Sequence, residues 1–300
     1  MFFVDLPGGL GNQIFAYFAG LYLAENSDTK VYLQFATTSK AHVGNRFDLR
    51  SFDLHVAPLR TKLPESALSP IYYPEKNGFS RRIGKMFNFS NIIHFETGAD
   101  SRKDLDTFLS SSQFSILPKR VSGYFGDFAI YDHIKEQVRE LRLRKRSSKY
   151  TALKDFYQKV PCIGIHLRAG DFLNMKETVG VLDDDFYLES LEQALRAAPR
   201  SSLLVFSNDE VYARKRVAGW KINNYEIISP QTLNDPAESL EMMSQCDYII
   251  TANSTFSFWA AKLSKRKKGV WIPKHWRRDG WPEIQNVPPD WVRTPNSWQN

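Results

Sequence analysis

Short apolar runs that alternate with helix-like segments are the feature that most restricts how this chain can fold. Residues 160–167 (VPCIGIHL) and 202–207 (SLLVFS) are continuous apolar runs, the pattern of strands buried on both faces. Residues 185–198, between them, have the spacing of an amphipathic helix. Strand, helix and strand in this order predict a parallel α/β sheet, because parallel strands need a crossover connection. The alternation continues with a helix at 236–245, a strand at 248–251, a helix at 255–263 and a strand at 269–272.

A second α/β pattern begins the chain. Residues 1–6 are a short apolar strand, and the glycine turn GGLGNQ (8–13) follows directly. An apolar helix is expected over 12–25, and VYLQF (31–35) has the composition of the next strand. Because 300 residues exceed what one core comfortably holds, we expect two α/β domains in tandem.

The basic segment that ends at Tyr150 is interpreted as the junction, which predicts domains at 1–150 and 151–300. Between 36 and 120 the periodicity is poor, and irregular structure with short helices is expected there. The C-terminal region is rich in Trp and Pro and is predicted to pack back on the body of the protein. Its tryptophans are read as packing anchors, with a sugar-stacking surface as the alternative; they are Trp271, Trp276, Trp281, Trp291 and Trp298.

Composition excludes several classes of protein. With 42% hydrophobic and 24% charged residues the chain is not a disordered protein. No apolar run reaches the roughly 20 residues that a membrane span needs, and the start lacks the basic region of a signal peptide, so a cytoplasmic location is expected. Cys162 and Cys246 lie in apolar contexts without partner ligands at metal spacing, and both are predicted to be buried thiols.

The formal charge of +7 is concentrated in two basic clusters, residues 139–149 and 262–268. Such runs are usually solvated faces, but they also attract an anionic substrate or the anionic surface of a membrane. Nucleic-acid binding is not expected, because no zinc finger, helix-turn-helix or RNP-like aromatic pattern accompanies the charge.

Polar residues follow three of the predicted buried strands, where open α/β sheets bind ligands. Arg168 in HLRAGDF (166–172) offers a guanidinium fork that matches phosphate oxygens, unless it only pairs with Asp171 to fix a loop. Asp209 in FSNDE (206–210) is either an acceptor for a nucleobase or ribose, or a helix cap. Asn253, Ser254 and Thr255 open an apolar helix, which favours anion binding but is also ordinary capping chemistry. Together the three segments predict a site for a nucleoside diphosphate.

Two motifs resemble a dinucleotide-binding turn and a metal site, but neither function is predicted. The GGLGNQ turn has Ile14 where a dinucleotide fingerprint has its third glycine, and VYLQF offers only Gln34 where an acidic ribose partner is expected. A nicotinamide enzyme is therefore not predicted. The aspartates 183–185 resemble a metal site, but they directly precede a helix, where acidic side chains act as caps. We expect neither a metal ion nor a cofactor.

Taken together, the motifs resemble glycosyltransferase family 11, the α-1,2-fucosyltransferases, in the bacterial type. The segments that carry the resemblance, in order, are GGLGNQIFAYFAG, GYFGDF (123–128), HLRAGDF, FSNDE and SLEMMSQCDYIITANSTFSFWAAKL. The resemblance implies a GT-B-like α/β fold in which two Rossmann-like domains face a central cleft. The first domain would hold the acceptor and the second GDP-fucose. The implied reaction is an inverting, metal-independent transfer of L-fucose from GDP-fucose to O2 of a terminal β-galactoside in an oligosaccharide or glycolipid precursor.

The resemblance also implies roles for individual residues of the second domain. His166 and Arg168 would contact guanine and the diphosphate, and Asp209 would accept from guanine or ribose. The remaining donor-binding residues form the turn into one helix, and they are Asn253, Ser254, Thr255 and Phe256.

Other implied roles are less specific. Asn12 would lie near the reacting fucose, and Arg168 would stabilise the leaving group. The candidates for a catalytic base are Asp171, Asp127 and Asp5. The family usually has two consecutive arginines in HLRAGDF, and here the second is Ala169.

Two alternatives stay open at this stage. One is a fucosyltransferase with another acceptor, such as a protein hydroxyl or another sugar. The other is a non-catalytic protein that binds a GDP-sugar. The expected partners are GDP-fucose and a galactose-terminated glycan, with peripheral contact to the cytoplasmic face of an anionic membrane through the basic clusters.

Overall fold

The computed structural model describes residues 2–35, 48–54, 92–95, 101–112, 119–123, 125–126, 129–134, 141–280 and 287–299. The chain divides into two compact units. The first comprises residues 1–47 and 54–141, and the second comprises residues 48–53 and 142–300. The second unit thus begins nine residues before the predicted domain start at 151 and takes in a short segment from the N-terminal half. No helix of the described residues is long and apolar enough to cross a membrane.

The first unit is built on a parallel sheet of four strands. The elements up to residue 143 are β1 (Phe2–Leu6), α1 (Leu10–Glu25), β2 (Val31–Phe35), β3 (Phe52–Asp53), β4 (Ile92–Phe95), α2 (Ser101–Ser112), β5 (Lys119–Gly123), α3 (Ala129–His133) and β6 (Arg142–Leu143). The sheet has the order β2-β1-β5-β4. The strands β3 and β6 belong to the second unit and pair with each other in antiparallel fashion.

The glycine turn makes a tight connection from β1 to α1. Gly8 has φ +57°, and a Cβ at this position would lie 2.7 Å from Nδ2 of Asn12. Gln13 is fully buried, and its Nε2 donates to the carbonyl of Gly8 at 3.0 Å. The side chains of α1 are buried on nearly every side, which explains why the segment is apolar without a marked amphipathic period.

The second unit contains a parallel six-stranded sheet. Its further elements are α4 (Ser148–Tyr157), β7 (Cys162–Leu167), α5 (Asp184–Ala197), β8 (Ser202–Ser207), α6 (Glu210–Ala218), β9 (Tyr225–Ile228), α7 (Pro236–Ser244), β10 (Tyr248–Ile250), α8 (Thr255–Leu263), β11 (Gly269–Pro273) and β12 (Val292–Thr294). The strand order is β12-β11-β10-β7-β8-β9. All six residues of β7 are buried, as expected for a strand with neighbours on both edges and helices on both faces.

The predicted elements of this unit are confirmed within two residues, and six strands and helices of its described residues were missed. The strand at 202–207 and the helix at 255–263 agree with the prediction at both ends. The missed elements are β3, β6, α4, α6, β9 and β12. Both cysteines are buried free thiols, as predicted.

The segment 36–120 is more regular than predicted in the part that the structure describes. It contains β4 and the twelve-residue helix α2, followed by the start of β5. The short helices that were expected are represented by the 3-10 helix Asp48–Ser51, whereas the strands β3 and β4 were not predicted. Residues 36–47, 55–91, 96–100 and 113–118 lie outside the described part of the chain.

Helix α4 is held to α7 by two carboxylates. Glu238 is 5% exposed and accepts from both the backbone N–H and the hydroxyl of Ser147, the N-cap residue of α4. Glu241 accepts from the hydroxyl of Tyr150 at 2.6 Å. Burial and the Glu241 carboxylate raise the pKa of Tyr150, so the phenol remains a hydrogen-bond donor. These contacts bind the predicted junction firmly to the second unit.

We expect Tyr150→Phe to lower the free energy of unfolding of the second unit by about 1.5–3 kcal/mol, because a hydrogen bond to a charged acceptor is lost. Urea unfolding followed by tryptophan fluorescence measures the loss. In a Glu241→Gln background the acceptor is neutral, so the same substitution should cost less. Equal costs in the two backgrounds would show that this contact does not anchor α4.

Candidate active site

Three loops of the second unit meet at the carboxyl edge of its sheet. β7 pairs with β8, with His166 opposite Phe206, and it pairs with β10 on its other edge, with Ile165 opposite Ile250. Neighbouring strands lie about 4.8 Å apart, so the residues that follow them are close together. The structure therefore brings HLRAGDF, FSNDE and the turn after β10 to one edge, as the sequence predicts.

His166 is buried and uncharged at this edge. Its ring centroid lies 5.1 Å from that of Phe256, and its carbonyl accepts from the hydroxyl of Tyr187 at 3.0 Å. Burial of the ring and the nearby Arg168 charge lower the pKa of His166 to about 3. Its buried Nδ1 atom has no hydrogen-bond partner in the described part of the chain. A neutral imidazole with an unused nitrogen is suited to a hydrogen bond with a ligand.

Arg168 is oriented by two neighbours in its own loop. Its Nη2 lies 2.5 Å from Oδ1 of Asp171, and its guanidinium stacks over the ring of Phe172 at 4.8 Å. The pairing with Asp171 that the sequence left open is therefore present. The buried Nε of Arg168 has no partner among the described residues. Because a guanidinium has five N–H donors, the ion pair leaves donors for an anion.

Asn208 is a residue of this edge that the sequence analysis missed. Its Oδ1 accepts from the backbone N–H of Ala169 at 3.1 Å, and its Nδ2 donates to the carbonyl of Ala169 at 3.3 Å. Ala169 is fully buried. The amide thus clamps the loop after β7 to the end of β8. FSNDE contains Asn208, but only the strand register reveals its partner.

Asp209 caps a helix, which was one of the two interpretations of this residue from the sequence. Its Oδ1 accepts from the backbone N–H of Tyr212 at 3.0 Å, and it is the N-cap residue of α6. The structure gives this carboxylate a local partner, and a contact with a nucleobase or ribose remains a prediction.

The turn from β10 into α8 combines a buried amide with a helix start. Asn253 is 2% exposed, and its Nδ2 donates to the carbonyls of Val179 and Gly180 at 3.2 and 3.1 Å. Ser254 is the N-cap residue of α8, yet its side chain makes no capping hydrogen bond within the described residues. Thr255 opens the helix, whose first N–H groups face its N-terminus. The turn therefore offers a hydroxyl and a positive helix end.

Two of the three aspartates at the start of α5 serve as a helix cap and an ion-pair partner. Oδ1 of Asp183 accepts from the backbone N–H of Asp184 at 2.8 Å. Asp184 pairs at 2.5 Å with Arg216, whose side chain is 5% exposed. The capping interpretation is thereby supported. In the described ranges, no group of three or more His, Cys, Asp or Glu side chains is arranged to hold a metal ion.

The predicted residues of the first unit are only partly described. Asn12 is half-buried near the start of α1, and Asp5 is buried in β1. Asp127 lies outside the described residues. The roles of Asn12, Asp5 and Asp127 therefore stay predictions.

The second unit resembles known glycosyltransferases in sequence. A sequence model of glycosyl transferase family 11 matches residues 121–294, more than half of the chain. The chain is 25% identical over 297 residues to an α-1,2-colitosyltransferase of Escherichia coli, covering 96% of this chain and 97% of that protein. It is 26% identical over 145 residues to the bovine galactoside 2-α-L-fucosyltransferase SEC1, covering 46% of this chain and 36% of the bovine one.

A solved structure supports the fold class. The crystal structure of NodZ α-1,6-fucosyltransferase co-crystallised with GDP has a TM-score of 0.50 at 12% identity, over 87% of this chain and 91% of NodZ. At this identity the likeness concerns the fold alone. It confirms the expected GT-B-like class of two Rossmann-like units, in agreement with the two parallel sheets. The extent of the family match settles the assignment, and the chain belongs to glycosyl transferase family 11.

Proposed function

We propose that this protein is an inverting fucosyltransferase that transfers L-fucose from GDP-fucose to O2 of a terminal β-galactoside in an oligosaccharide or glycolipid precursor. The observation that carries the proposal is the cluster of His166, Arg168 and Phe256 at one sheet edge inside the family match. The galactoside fucosyltransferase among the relatives supports the acceptor class. The α-1,2-colitosyltransferase among the relatives indicates colitose as the competing donor sugar.

The proposed donor site uses each group for one part of the nucleotide. His166 donates or accepts through its unused nitrogen at guanine, and Phe256 flanks the base. Arg168 and the start of α8, with Asn253, Ser254 and Thr255, face the diphosphate. Asp209 stays a candidate for the ribose, through the carboxylate oxygen that does not cap α6.

The proposed mechanism is a single displacement at the anomeric carbon. The acceptor oxygen attacks from the face opposite GDP while the bond to the β-phosphate breaks, which inverts the configuration. Negative charge grows on the phosphate, and the fixed N–H donors of Arg168 and α8 stabilise it. These groups make a metal ion unnecessary in the proposal. The chain takes no further cofactor.

The acceptor proton needs a base, or leaves after the C–O bond has formed. Asp171 pairs with Arg168 and can therefore fix the position of the guanidinium. It is also a candidate for the base. Asp127 and Asp5 are the alternatives from the first unit, which we propose holds the acceptor. Asn12 would orient the reacting groups there.

A basic face of the second unit supports peripheral contact with an anionic membrane on the cytoplasmic side. Nη1 of Arg266, in the basic cluster 262–268, donates to the carbonyl of Gln158 at 3.2 Å. Gln158 is the C-cap residue of α4, the helix that begins at the end of the other basic cluster, 139–149. Phe156 is 61% exposed beside the exposed Lys159. An apolar ring among cations matches an anionic lipid interface.

Transfer is tested directly by incubating the protein with labelled GDP-fucose and a panel of β-galactosides, with the linkage determined by NMR. We expect an α-1,2-linked fucosyl product, formed equally well in EDTA. No fucosyl product, or release of fucose without transfer, would contradict the proposal. Strict dependence on Mn²⁺ would contradict its metal-independent part.

Arg168→Ala should lower kcat for this transfer by about 10²–10³-fold, because a fixed donor to the leaving group is removed. Circular dichroism should show an unchanged fold. Arg196→Ala is the matched control, since Arg196 is 74% exposed and its ion pair within the described part of the chain is with Glu192 on α5. A rate for Arg168→Ala near that of the control would remove the leaving-group assignment.

Membrane contact is tested by co-sedimentation with phosphatidylglycerol or phosphatidylcholine vesicles. We expect binding to the anionic vesicles only, weakened by salt. Lys159→Glu should weaken it by about fivefold or more, since each basic residue contributes about 1 kcal/mol. Phe156→Ser should also weaken it, because the apolar ring no longer enters the lipid interface. Val211→Ser, at a residue 79% exposed on α6, should have no effect. Equal binding to both vesicle types would contradict the proposal.

A further inference from the structure

Residues 297–299 contact a loop, residues 178–183, that connects the two parts of the proposed donor site. These parts are the turn that holds Arg168, called the arginine arm, and the start of α8, called the helix-start arm. We infer that residues 297–299, the C-terminal clip, form a positioning element for nucleotide binding, with Trp298 as its central residue. The inference rests on the proposed function, because it assumes that the nucleotide binds where Arg168 and α8 meet.

The clip pairs with the loop of residues 178–183 through the backbone. The N–H of Asp183 donates to the carbonyl of Ser297 at 3.1 Å, and the N–H of Gln299 donates to the carbonyl of Val181 at 2.8 Å. Leu182 and Trp298 face each other in an antiparallel bridge. The clip and the loop are therefore joined by an isolated antiparallel bridge.

Trp298 lies directly on Gly180. Gly180 has φ +82°, and a Cβ there would be 2.3 Å from Cε3 of Trp298. A side chain at residue 180 would thus be strained and would displace the indole. The ring also packs against the hydrophobic core of the second unit. The backbone of residue 180 is fixed by an aromatic ring that comes from more than a hundred residues away.

The position of Gly180 decides where Asn253 lies. The Asn253 amide donates to the carbonyls of Val179 and Gly180, and Asn253 immediately precedes the N-cap residue of α8. The N–H groups of Val179 and Gly180 in turn donate to the carbonyl of Met175, at the end of the 3-10 turn Gly170–Met175. That turn contains Asp171, the partner of Arg168. One loop thus connects the arginine arm with the helix-start arm.

The clip is anchored at its own end by a buried cation. The side-chain amide of Gln299 lies 3.1 Å from the hydroxyl of Tyr212, which accepts from Arg216 at 2.9 Å. Nη2 of Arg216 donates to the carbonyl of Leu182 at 2.6 Å. Nη1 of Arg278 donates to the carbonyl of Gln299 at 3.2 Å. The clip is therefore tied to α6 as well as to the loop, and it fixes the loop rather than merely covering it.

This arrangement makes Asn253 a positioning residue. Both of its amide hydrogens are used by the loop, so its contribution to nucleotide binding is to hold the start of α8 in place. Loss of Trp298 frees the loop and lets both arms move, and this weakens the binding of GDP. A substitution that only destabilises the fold does not have this effect at a temperature where the protein is folded.

The experiment measures the dissociation constant of GDP by calorimetry and the melting temperature of each full-length variant. Trp298→Ala is expected to weaken GDP binding by about tenfold or more, whereas Trp298→Phe, which keeps a ring over Gly180, should recover most of the affinity. Gly180→Ala is the second variant and should resemble Trp298→Ala. Tyr157→Ala is the matched control: Tyr157 is 8% exposed, and its hydroxyl donates to Glu226 at 2.6 Å, a contact between α4 and β9 that involves neither the clip nor α8.

The outcomes separate the inference from the proposed function. Unchanged GDP binding in Trp298→Ala and Gly180→Ala overturns the inference alone. So does an equal loss of affinity in Tyr157→Ala at the same fall in melting temperature, because the effect is then general destabilisation. A wild-type protein that does not bind GDP overturns the proposed function, and with it the inference.

Discussion

The pairing of β7 with a parallel strand on each edge is the constraint on which the rest of the second unit depends. Every residue of β7 is buried, so its backbone groups must be satisfied within the sheet and its side chains must be apolar. The first positions free to carry polar chemistry are those just past the strand. The same holds for β8 and β10, whose register brings their ends beside that of β7. Polar groups from distant parts of the chain are therefore concentrated at one edge.

How much of this fold the sequence predicts depends on whether the signal is local. The bounds of β8 and α8 are predicted exactly, because continuous apolar runs and a capped apolar helix are visible in the residues themselves. Helix α4 is polar and mostly exposed, and Glu238 and Glu241 of α7, about ninety residues later, hold it in place. No pattern within α4 reveals that interaction, so the sequence does not show that α4 is held to α7.

The same distinction separates the site residues that were predicted from those that were missed. Arg168 stands out because a cation directly after a buried strand is unusual within its own segment. Asn208 and Asp209 are neighbours in FSNDE, and the sequence favours the carboxylate as ligand. The structure gives Asp209 a local cap and gives Asn208 the contact across strands to Ala169, which depends on the β7–β8 register. An amide whose partners are backbone groups of another loop has no sequence signature.

The burial of Ala169 also bears on how charge is balanced in the proposed reaction. A guanidinium at this fully buried position would need partners, and the backbone N–H and carbonyl of Ala169 are already taken by Asn208. A second cation would also lie next to His166, whose pKa is already lowered by burial and by Arg168. With Ala169 in place of a second arginine, neutral dipoles are a further source of stabilisation for the leaving phosphate in the proposed reaction. The start of α8 supplies them, which makes the position of that helix, and of the residues that hold it, as important to the chemistry as Arg168 itself.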